Sequence, residues 1–179
     1  MRVLNLAAGL DTRPFRLALP ATMRWVDVDC GDMLDYKWTV LGTERASCAY
    51  ERAAADLSDA TARRALFERI GRAHRKVFVM AEGLLIYLAP DDVSSLAGDL
   101  HAWDSFRWWL IDLASPRLLK WMQRSWGKGA AKGNAPFRFA PEEGTKFFER
   151  SGWSEREFRS SWAEAKRLNR KMRGAWLME

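Results

Sequence analysis

The sequence has little of what a disulfide framework, a zinc site or a membrane span requires. Its 179 residues include two cysteines and two histidines. Cys30 and Cys48 are too few for a disulfide framework, and with His74 and His101 they show no recognisable zinc-ligand spacing. No apolar run approaches the roughly 18 residues of a membrane helix. The first residues become charged too early for a secretory signal, so we expect a reducing, cytoplasmic setting.

A strong charge of one sign is also lacking in the first two thirds of the chain. Residues 1–116 carry 14 Lys and Arg against 16 Asp and Glu, a net charge of −2, whereas residues 117–179 carry 15 against 7, a net charge of +8. A basic tail is compatible with a nucleic-acid or anionic-substrate surface, but a solvated face with a basic helical tail is the more ordinary explanation. The ten tryptophans are scattered, which favours core and pocket positions over a base-stacking platform.

Strand and helix patterns alternate along the chain, without internal repeats or low-complexity segments. Short apolar runs predict strands at residues 3–6, 25–28, 52–57, 77–81 and 106–113. Helical spacing of apolar residues predicts helices over 32–41, 61–70 and 91–100. This alternation predicts an α/β fold with a doubly wound, mostly parallel Rossmann-type sheet and helices on both faces.

The last third is expected to complete a single domain over residues 1–179. We divide that domain into a cofactor-binding core, 1–115, and a substrate-side, basic helical region, 116–179. Glycines and a proline predict a flexible loop over 127–136, which could be a lid or a linker. A helix over 141–151, a strand over 153–158 and a basic helix over 162–173 are expected beyond it.

Candidate binding residues follow the predicted strands, because ligands of open parallel sheets bind at the carboxyl ends of the strands. Gly9 follows the first strand and allows a sharp turn and close approach of a ligand. Asp29 follows the second strand, twenty residues beyond Gly9, where an acid can accept both hydroxyl protons of a ribose. Asp56 could accept from an adenine amine and Leu57 could pack on the ring. Glu82, after the fourth strand, could hold an ammonium group.

The sign of the local charge distinguishes between cofactors. The positions of a G-x-G-x-x-G pattern hold Ala7, Gly9 and Thr12, so the dinucleotide fingerprint is absent. Asp11 and Asp27 add further carboxylates to those at the strand ends. Such a cluster would repel a pyrophosphate but suits a ligand with a sulfonium and an ammonium group, which favours S-adenosylmethionine over NAD.

Each of these residues taken alone can also be explained by a purely structural role. A single glycine after a strand is a weak signal, and a lone aspartate or glutamate there is more often a helix cap or a surface acid. Cys30 is better explained as a packing residue than as a nucleophile. His74 precedes the fourth strand, at the wrong end of the sheet, and His101 lies near a helix C-terminus, so neither is a catalytic candidate.

Four motifs in order resemble the leucine carboxyl methyltransferase family. Residues 5–17, NLAAGLDTRPFRL, resemble its N-L-G-A-G-L-D-T-R hallmark, and residues 25–29, WVDVD, resemble its acidic second-strand end. The D-L pair at 56–57 and EGLLIYL at 82–88 match two later motifs. The resemblance covers about residues 3–115, with weaker similarity of the tail to one bacterial subgroup. That family includes the enzyme that methylates the C-terminal carboxylate of a protein phosphatase and many bacterial O-methyltransferases.

The resemblance implies roles for individual residues. It implies that S-adenosylmethionine is bound by Gly9, Asp29, Asp56, Leu57 and Glu82. Asp27 and Ala8, which neighbour these residues, are further candidates for cofactor binding. Tyr87 and Arg13 are weaker candidates for facing the substrate. No general base is implied and the catalytic residue stays unknown. An ionised carboxylate acceptor needs only alignment, whereas a phenol or alcohol would need a base.

Two departures from the family pattern accompany the match. Ala7 stands where a glycine is usual, and the helical leader that supplies an arginine for the cofactor carboxylate is expected to be missing before the first strand. Either the start is truncated, or a residue such as Arg13 substitutes, or the cofactor binds poorly.

Three functional hypotheses remain. The leading one is an S-adenosylmethionine-dependent methyltransferase that methylates an oxygen of a small molecule or a carboxylate. The alternative is a truncated or degenerate, non-catalytic protein of the same fold that acts through binding. A nucleic-acid methyltransferase is disfavoured, because no Asn-Pro-Pro-Tyr-like motif follows the fourth strand. The identity of the acceptor and the oligomeric state are not predicted.

Overall fold

Five parallel strands form one sheet in the computed structural model, which describes residues 1–73, 75–133 and 135–170. The strands are β1 (Arg2–Leu6), β2 (Arg24–Asp29), β3 (Ala49–Ala54), β4 (Val77–Ala81) and β5 (Phe106–Ile111). Their order is β3-β2-β1-β4-β5, so β1 lies at the centre and pairs with both β2 and β4. The chain reverses its direction of winding at β1 and β4, as the predicted doubly wound fold requires.

Alternate residues of the central strands divide between two apolar clusters. Leu4 and Val26 are fully buried in the larger cluster, and Leu4 pairs with Val26 on one side and Val79 on the other. Val3 and Trp25 belong to a smaller cluster. Because neighbouring residues of a strand point to opposite faces, both faces of the central sheet are covered.

Helices follow the strands, and the third and fourth of them contribute buried residues to the larger cluster. Their bounds are α1 (Arg13–Arg16), α2 (Gly31–Leu41), α3 (Ala60–Ala73), α4 (Pro90–His101), α5 (Pro116–Lys132) and α6 (Ser161–Arg167), with 3-10 helices at Leu85–Tyr87 and Gly144–Ser151. Phe67 of α3 is fully buried, and its ring meets Phe106 edge to face at 5.6 Å. The structure therefore confirms the predicted α/β class.

The C-terminal segment joins the same core. Phe139, Phe147 and Phe148 are each at most 5% exposed and belong to the larger cluster. The backbone N–H of Phe139 donates to the carbonyl of Ile86 at 3.2 Å, which attaches this segment to the chain beyond β4.

Several expectations for the chain are corrected. β3 begins three residues before the predicted strand, at Ala49 rather than at 52. The flexible loop expected over 127–136 is wrong in its first half, because α5 continues through Gly127 and Gly129; Asn134 lies outside the described residues. The segment 153–158 is not a strand, and the helix expected over 141–151 is a 3-10 helix from 144 to 151. The last helix spans Ser161–Arg167, and residues 171–173 of its predicted span lie outside the description.

The described residues hold neither a candidate membrane-spanning helix nor a cluster of metal ligands. Within the described ranges, no helix combines the length and the apolarity that crossing a membrane demands. The same part of the chain holds no group of three His, Cys, Asp or Glu residues arranged around a possible metal ion. Cys30 and Cys48 are free thiols.

Candidate cofactor site at the carboxyl edge of the sheet

The loop after β1 turns through two residues with left-handed backbone. Ala7 has a φ of 52° and Gly9 a φ of 47°. The N–H of the intervening Ala8, which is buried, donates to the carbonyl of Val28 at 3.0 Å. A Cβ built on Gly9 would meet no atom within 4 Å, so the space above this glycine is open to a ligand. The left-handed φ at Ala7 is costly for an L-residue, which explains why glycine is usual at this place.

Asp29 joins the ends of β1 and β2. Its Oδ2 accepts the N–H of Gly9 at 2.8 Å, and its Oδ1 accepts the N–H of Cys30 at 2.8 Å. A carboxylate has about four lone-pair sites, so these two backbone bonds leave acceptor capacity for a ligand. The twenty-residue spacing therefore brings the predicted glycine and the predicted acid into direct contact.

Asp56 lies just beyond the end of β3 and is exposed. Its Oδ1 accepts both the N–H of Ser58 at 2.9 Å and the hydroxyl of Ser58 at 2.6 Å. These hydrogen bonds lower the pKa of the Asp56 carboxyl, so it stays ionised and can accept from an amine. Leu57 is 8% exposed and packs in the larger core cluster.

Arg13 bridges two acids at the ends of β1 and β4. Its Nε lies 2.8 Å from Asp11 Oδ2, and its Nη2 lies 2.5 Å from Glu82 Oε2. The hydrogen bond to Asp11 is the main cause of the raised pKa of Arg13. Burial raises the pKa of Asp11, but its hydrogen bonds with Arg13 outweigh that effect, and the pKa lies below its ordinary value. The arginine thus neutralises part of the negative cluster expected from the sequence.

Asp27 lies in the protein interior instead of at the pocket edge. It is fully buried, and four donors surround it: Asn5 Nδ2 at 3.0 Å, Trp25 Nε1 at 2.7 Å, Lys37 Nζ at 2.5 Å and Tyr50 OH at 2.7 Å. Burial and the bond to Asp27 raise the pKa of Tyr50, which therefore donates as a neutral phenol. This placement gives no support to the prediction that Asp27 binds the cofactor, because its oxygens are already occupied by protein donors.

Comparison with known proteins identifies the chain's family. The sequence profile described as leucine carboxyl methyltransferase matches residues 1–101. The chain belongs to this family. A relative from Frankia alni, named "Putative S-adenosyl-L-methionine-dependent methyltransferase FRAAL3836", is 34% identical over 157 residues, which cover 78% of this chain and 53% of the relative. The tetracenomycin polyketide synthesis O-methyltransferase TcmP of Streptomyces glaucescens is 36% identical over 90 residues, covering 50% of this chain and 30% of that protein.

Solved structures agree with the fold. A protein from Thermobifida fusca YX named "putative methyltransferase" has a TM-score of 0.55 at 19% identity, and the match covers 79% of this chain and 55% of that chain. Magnesium protoporphyrin IX methyltransferase from Synechocystis PCC 6803, with bound SAH, has a TM-score of 0.50 at 16% identity and covers 85% and 64%. The chain spans about a third to a half of the length of the curated relatives it matches. The predicted cofactor, S-adenosylmethionine, is confirmed at the level of the family by the profile match and by the names of the relatives.

The residues at this edge fit the family's cofactor in their chemistry. A carboxylate lies beside open backbone at Gly9, and the ionised Asp56 has a second oxygen, Oδ2, without a hydrogen-bond partner in the described ranges. Glu82 is exposed and already binds a cationic group, the guanidinium of Arg13. The individual roles of Gly9, Asp29, Asp56, Leu57 and Glu82 stay predictions, as do those of Ala8 and Asp27.

The remaining residues singled out in the sequence are one weaker candidate for facing the substrate, Tyr87, and the disfavoured cysteine and histidines. Tyr87 is 38% exposed, and its ring stacks on Phe137 with a centroid distance of 5.6 Å. Cys30 is largely exposed, and the partial desolvation of its thiol together with the nearby acids raises the pKa of that thiol, which disfavours a nucleophilic thiolate. His101 meets Trp153 edge to face at 5.5 Å, and His74 lies outside the described residues.

Sequence reasoning missed one acid at the same edge. Asp112 follows β5, and its Oδ1 accepts the N–H of Gly83 at 2.8 Å. This bond links the ends of β4 and β5 as Asp29 links those of β1 and β2. The predicted strand over 106–113 included Asp112, so the strand-end rule did not select it; the observed strand ends at Ile111, which places Asp112 with the other acids.

Proposed function

We propose that this chain binds S-adenosylmethionine at the carboxyl edge of its sheet and transfers the methyl group to an oxygen of a small-molecule or carboxylate acceptor. The observation that carries the proposal is the 2.8 Å hydrogen bond from the N–H of Gly9 to Asp29, which sets a carboxylate beside an open glycine turn. The family match supports the cofactor. The O-methyltransferase named among the relatives supports oxygen as the acceptor atom.

Each binding residue has a stated role in the proposal. Asp29 uses its remaining lone pairs to accept the two ribose hydroxyls, and Asp56 accepts the adenine amine through Oδ2. Glu82 holds the ammonium of the methionine part, and Leu57 packs against the adenine. Tyr87 and Arg13 remain the candidates for facing the acceptor.

The bound cofactor would supply an electrophilic methyl group, which an acceptor oxygen attacks as the carbon–sulfur bond breaks. The protein's part is to align the acceptor with the methyl group and to exclude competing water. We assign no general base, which is consistent with an acceptor carboxylate that is ionised before it binds. A cytoplasmic location belongs to the same proposal and is supported by the free thiols.

Calorimetric titration of the 179-residue chain with S-adenosylmethionine and with S-adenosylhomocysteine tests the binding step. We expect Asp29→Asn to weaken both ligands at least about tenfold, because each lost charged hydrogen bond to a buried hydroxyl contributes roughly 1.5–3 kcal/mol. Asp104→Asn is the matched control, since Asp104 is an exposed acid in the turn before β5. It should bind like the wild type.

Two outcomes would contradict the proposal at different levels. A folded protein that releases no heat at millimolar ligand would refute cofactor binding. Binding without methyl transfer to any acceptor in a panel of carboxylates, phenols and alcohols would favour the alternative, a non-catalytic protein of the same fold.

A further inference from the structure

We propose that Arg63 is a positioning residue that orients Asp56 for recognition of the adenine base. Arg63 belongs to the first turns of α3 and is 3% exposed. Its Nη1 donates to the backbone carbonyl of Leu57 at 2.8 Å. The inference rests on the proposed function, in which Asp56 accepts the adenine amine and Arg63 acts on Asp56 without contacting the ligand.

A single peptide group connects Arg63 to Asp56. The carbonyl of Leu57 and the N–H of Ser58 belong to the same planar peptide unit. Arg63 donates to the oxygen of that peptide unit, and the N–H of the same unit, which belongs to Ser58, donates to Asp56 Oδ1 at 2.9 Å. Rotating the peptide group would break both bonds, so fixing its oxygen also fixes the direction from which Asp56 is held. The charged donor on the oxygen also polarises the peptide and strengthens its N–H as a donor.

Two residues of α4 fix the guanidinium of Arg63 in turn. Its Nε lies 2.9 Å and its Nη2 2.5 Å from Asp99 Oδ2, and Nη2 also donates to Ser95 Oγ at 2.8 Å. A guanidinium is planar, so holding two of its nitrogens determines where the third one points. The orientation of the Asp56 loop therefore depends on the packing of α3 against α4.

Arg64 provides a natural control for this arrangement. Its Nε donates to the other oxygen of the same carboxylate, Asp99 Oδ1, at 2.8 Å. Its side chain is 65% exposed, however, and among the described residues it has no hydrogen bond to the loop after β3. A change at Arg64 alters the charge near Asp99 but leaves the peptide group between Leu57 and Ser58 in place.

The test compares two ligands that differ at the base alone. S-adenosylhomocysteine and its inosine counterpart, in which an oxo group replaces the 6-amino group, are titrated against wild type, Arg63→Lys and Arg64→Lys. A lysine cannot hold Asp99 and the Leu57 carbonyl at the same time in the fork geometry of arginine. We expect the wild type and Arg64→Lys to prefer the adenosine ligand at least about tenfold. In Arg63→Lys that preference should fall below about threefold.

Base discrimination separates positioning from a general structural role. A variant that is merely less stable binds both ligands equally more weakly and keeps their ratio. A folded Arg63→Lys with the wild-type ratio overturns the proposal, and so does a wild type that binds both ligands alike. If Arg63→Lys does not fold, Asp99→Asn is used, because it weakens the grip on the guanidinium and is close to isosteric; an unchanged ratio there overturns the proposal equally. A wild type that binds neither ligand refutes the proposed function instead.

Discussion

Replacing Lys37 by methionine should destabilise the protein strongly, although both side chains have similar unbranched stems. Lys37 is 2% exposed, and its Nζ lies 2.5 Å from Asp27, which is fully buried. Removing the ammonium leaves the Asp27 carboxylate in the interior with neutral donors alone. Breaking a buried ion pair in this way costs about 3–5 kcal/mol, whereas the whole free energy of unfolding of a domain is roughly 5–15 kcal/mol.

The same helix offers a matched control. Asp35 of α2 pairs with Arg52 of β3 at 3.4 Å, but its side chain is 82% exposed. Exposed pairs contribute below about 1 kcal/mol, so Asp35→Asn should change the stability little. The two variants therefore compare a buried and an exposed ion pair that link α2 to the neighbouring strands.

Urea denaturation followed by circular dichroism measures the difference. With a slope of about 2 kcal/mol per molar urea, a loss of about 4 kcal/mol lowers the midpoint by about 2 M. We expect a shift of that size for Lys37→Met and below about 0.5 M for Asp35→Asn. A Lys37→Met midpoint within about 0.5 M of the wild type would refute the reasoning that Asp27 needs this counter-charge.

Three further predictions concern backbone strain, close packing and pH. Ala7→Gly should raise the free energy of unfolding by about 0.5–1 kcal/mol in denaturant titrations, because it relieves a left-handed φ; a decrease would contradict this. In thermal melts Gly71→Ala should lower stability, because the added Cβ would lie 2.6 Å from the ring of Trp103. Gly98→Ala should instead raise the free energy of unfolding by about 0.5–1 kcal/mol, because a Cβ there meets no atom within 4 Å. Melting temperatures that shift in the same direction for both variants would contradict this prediction. Asp11 has a lowered pKa in the folded state, so its stabilising effect is complete above its ordinary value of 3.8 and is lost as the pH falls below it. An Asp11→Asn variant whose stability falls as much as that of the wild type between pH 4 and 2 would count against that role.

Buried strands were predictable from the sequence, and the edge strand was less so. The span Val77–Ala81 was predicted with its observed bounds, because a strand covered on both faces is a continuous apolar run. β3 lies at the sheet edge and is largely alanine and charged residues, so it has no such run. Leu57 drew the prediction toward the C-terminus, but it packs into the core from the loop that follows the strand.

Glycine misled the prediction for α5. Gly127 and Gly129 suggested a loop, yet each glycine costs a helix interior only about 1 kcal/mol relative to alanine. Leu118, Met122 and Trp126 recur at four-residue spacing and continue one face of the helix. That face would have been the better guide to the extent of the helix.

The candidate site was predictable as far as the strand-end rule reaches. It places Gly9 and Asp29 together, and the structure joins them by a hydrogen bond. It cannot say which of two nearby acids lies outside, because neither face of a central parallel strand is left open. The burial of Asp27 depends on Lys37 and Tyr50, which reach it from α2 and β3 and have no sequence pattern linking them to it.

The three C-terminal phenylalanines limit where this chain can be cut. Phe139, Phe147 and Phe148 fill the same core as the strands, and Trp153 Nε1 donates to the carbonyl of Ala97 on α4 at 3.0 Å. A fragment ending at 115 would lack these rings and would expose to water the apolar surface of α4 and β5 that they cover. Replacing one buried aromatic by alanine costs roughly 3–5 kcal/mol, so three such side chains together matter as much as the whole stability of a domain. Segment exchanges between relatives are therefore better joined beyond 153, where the chain has left that core.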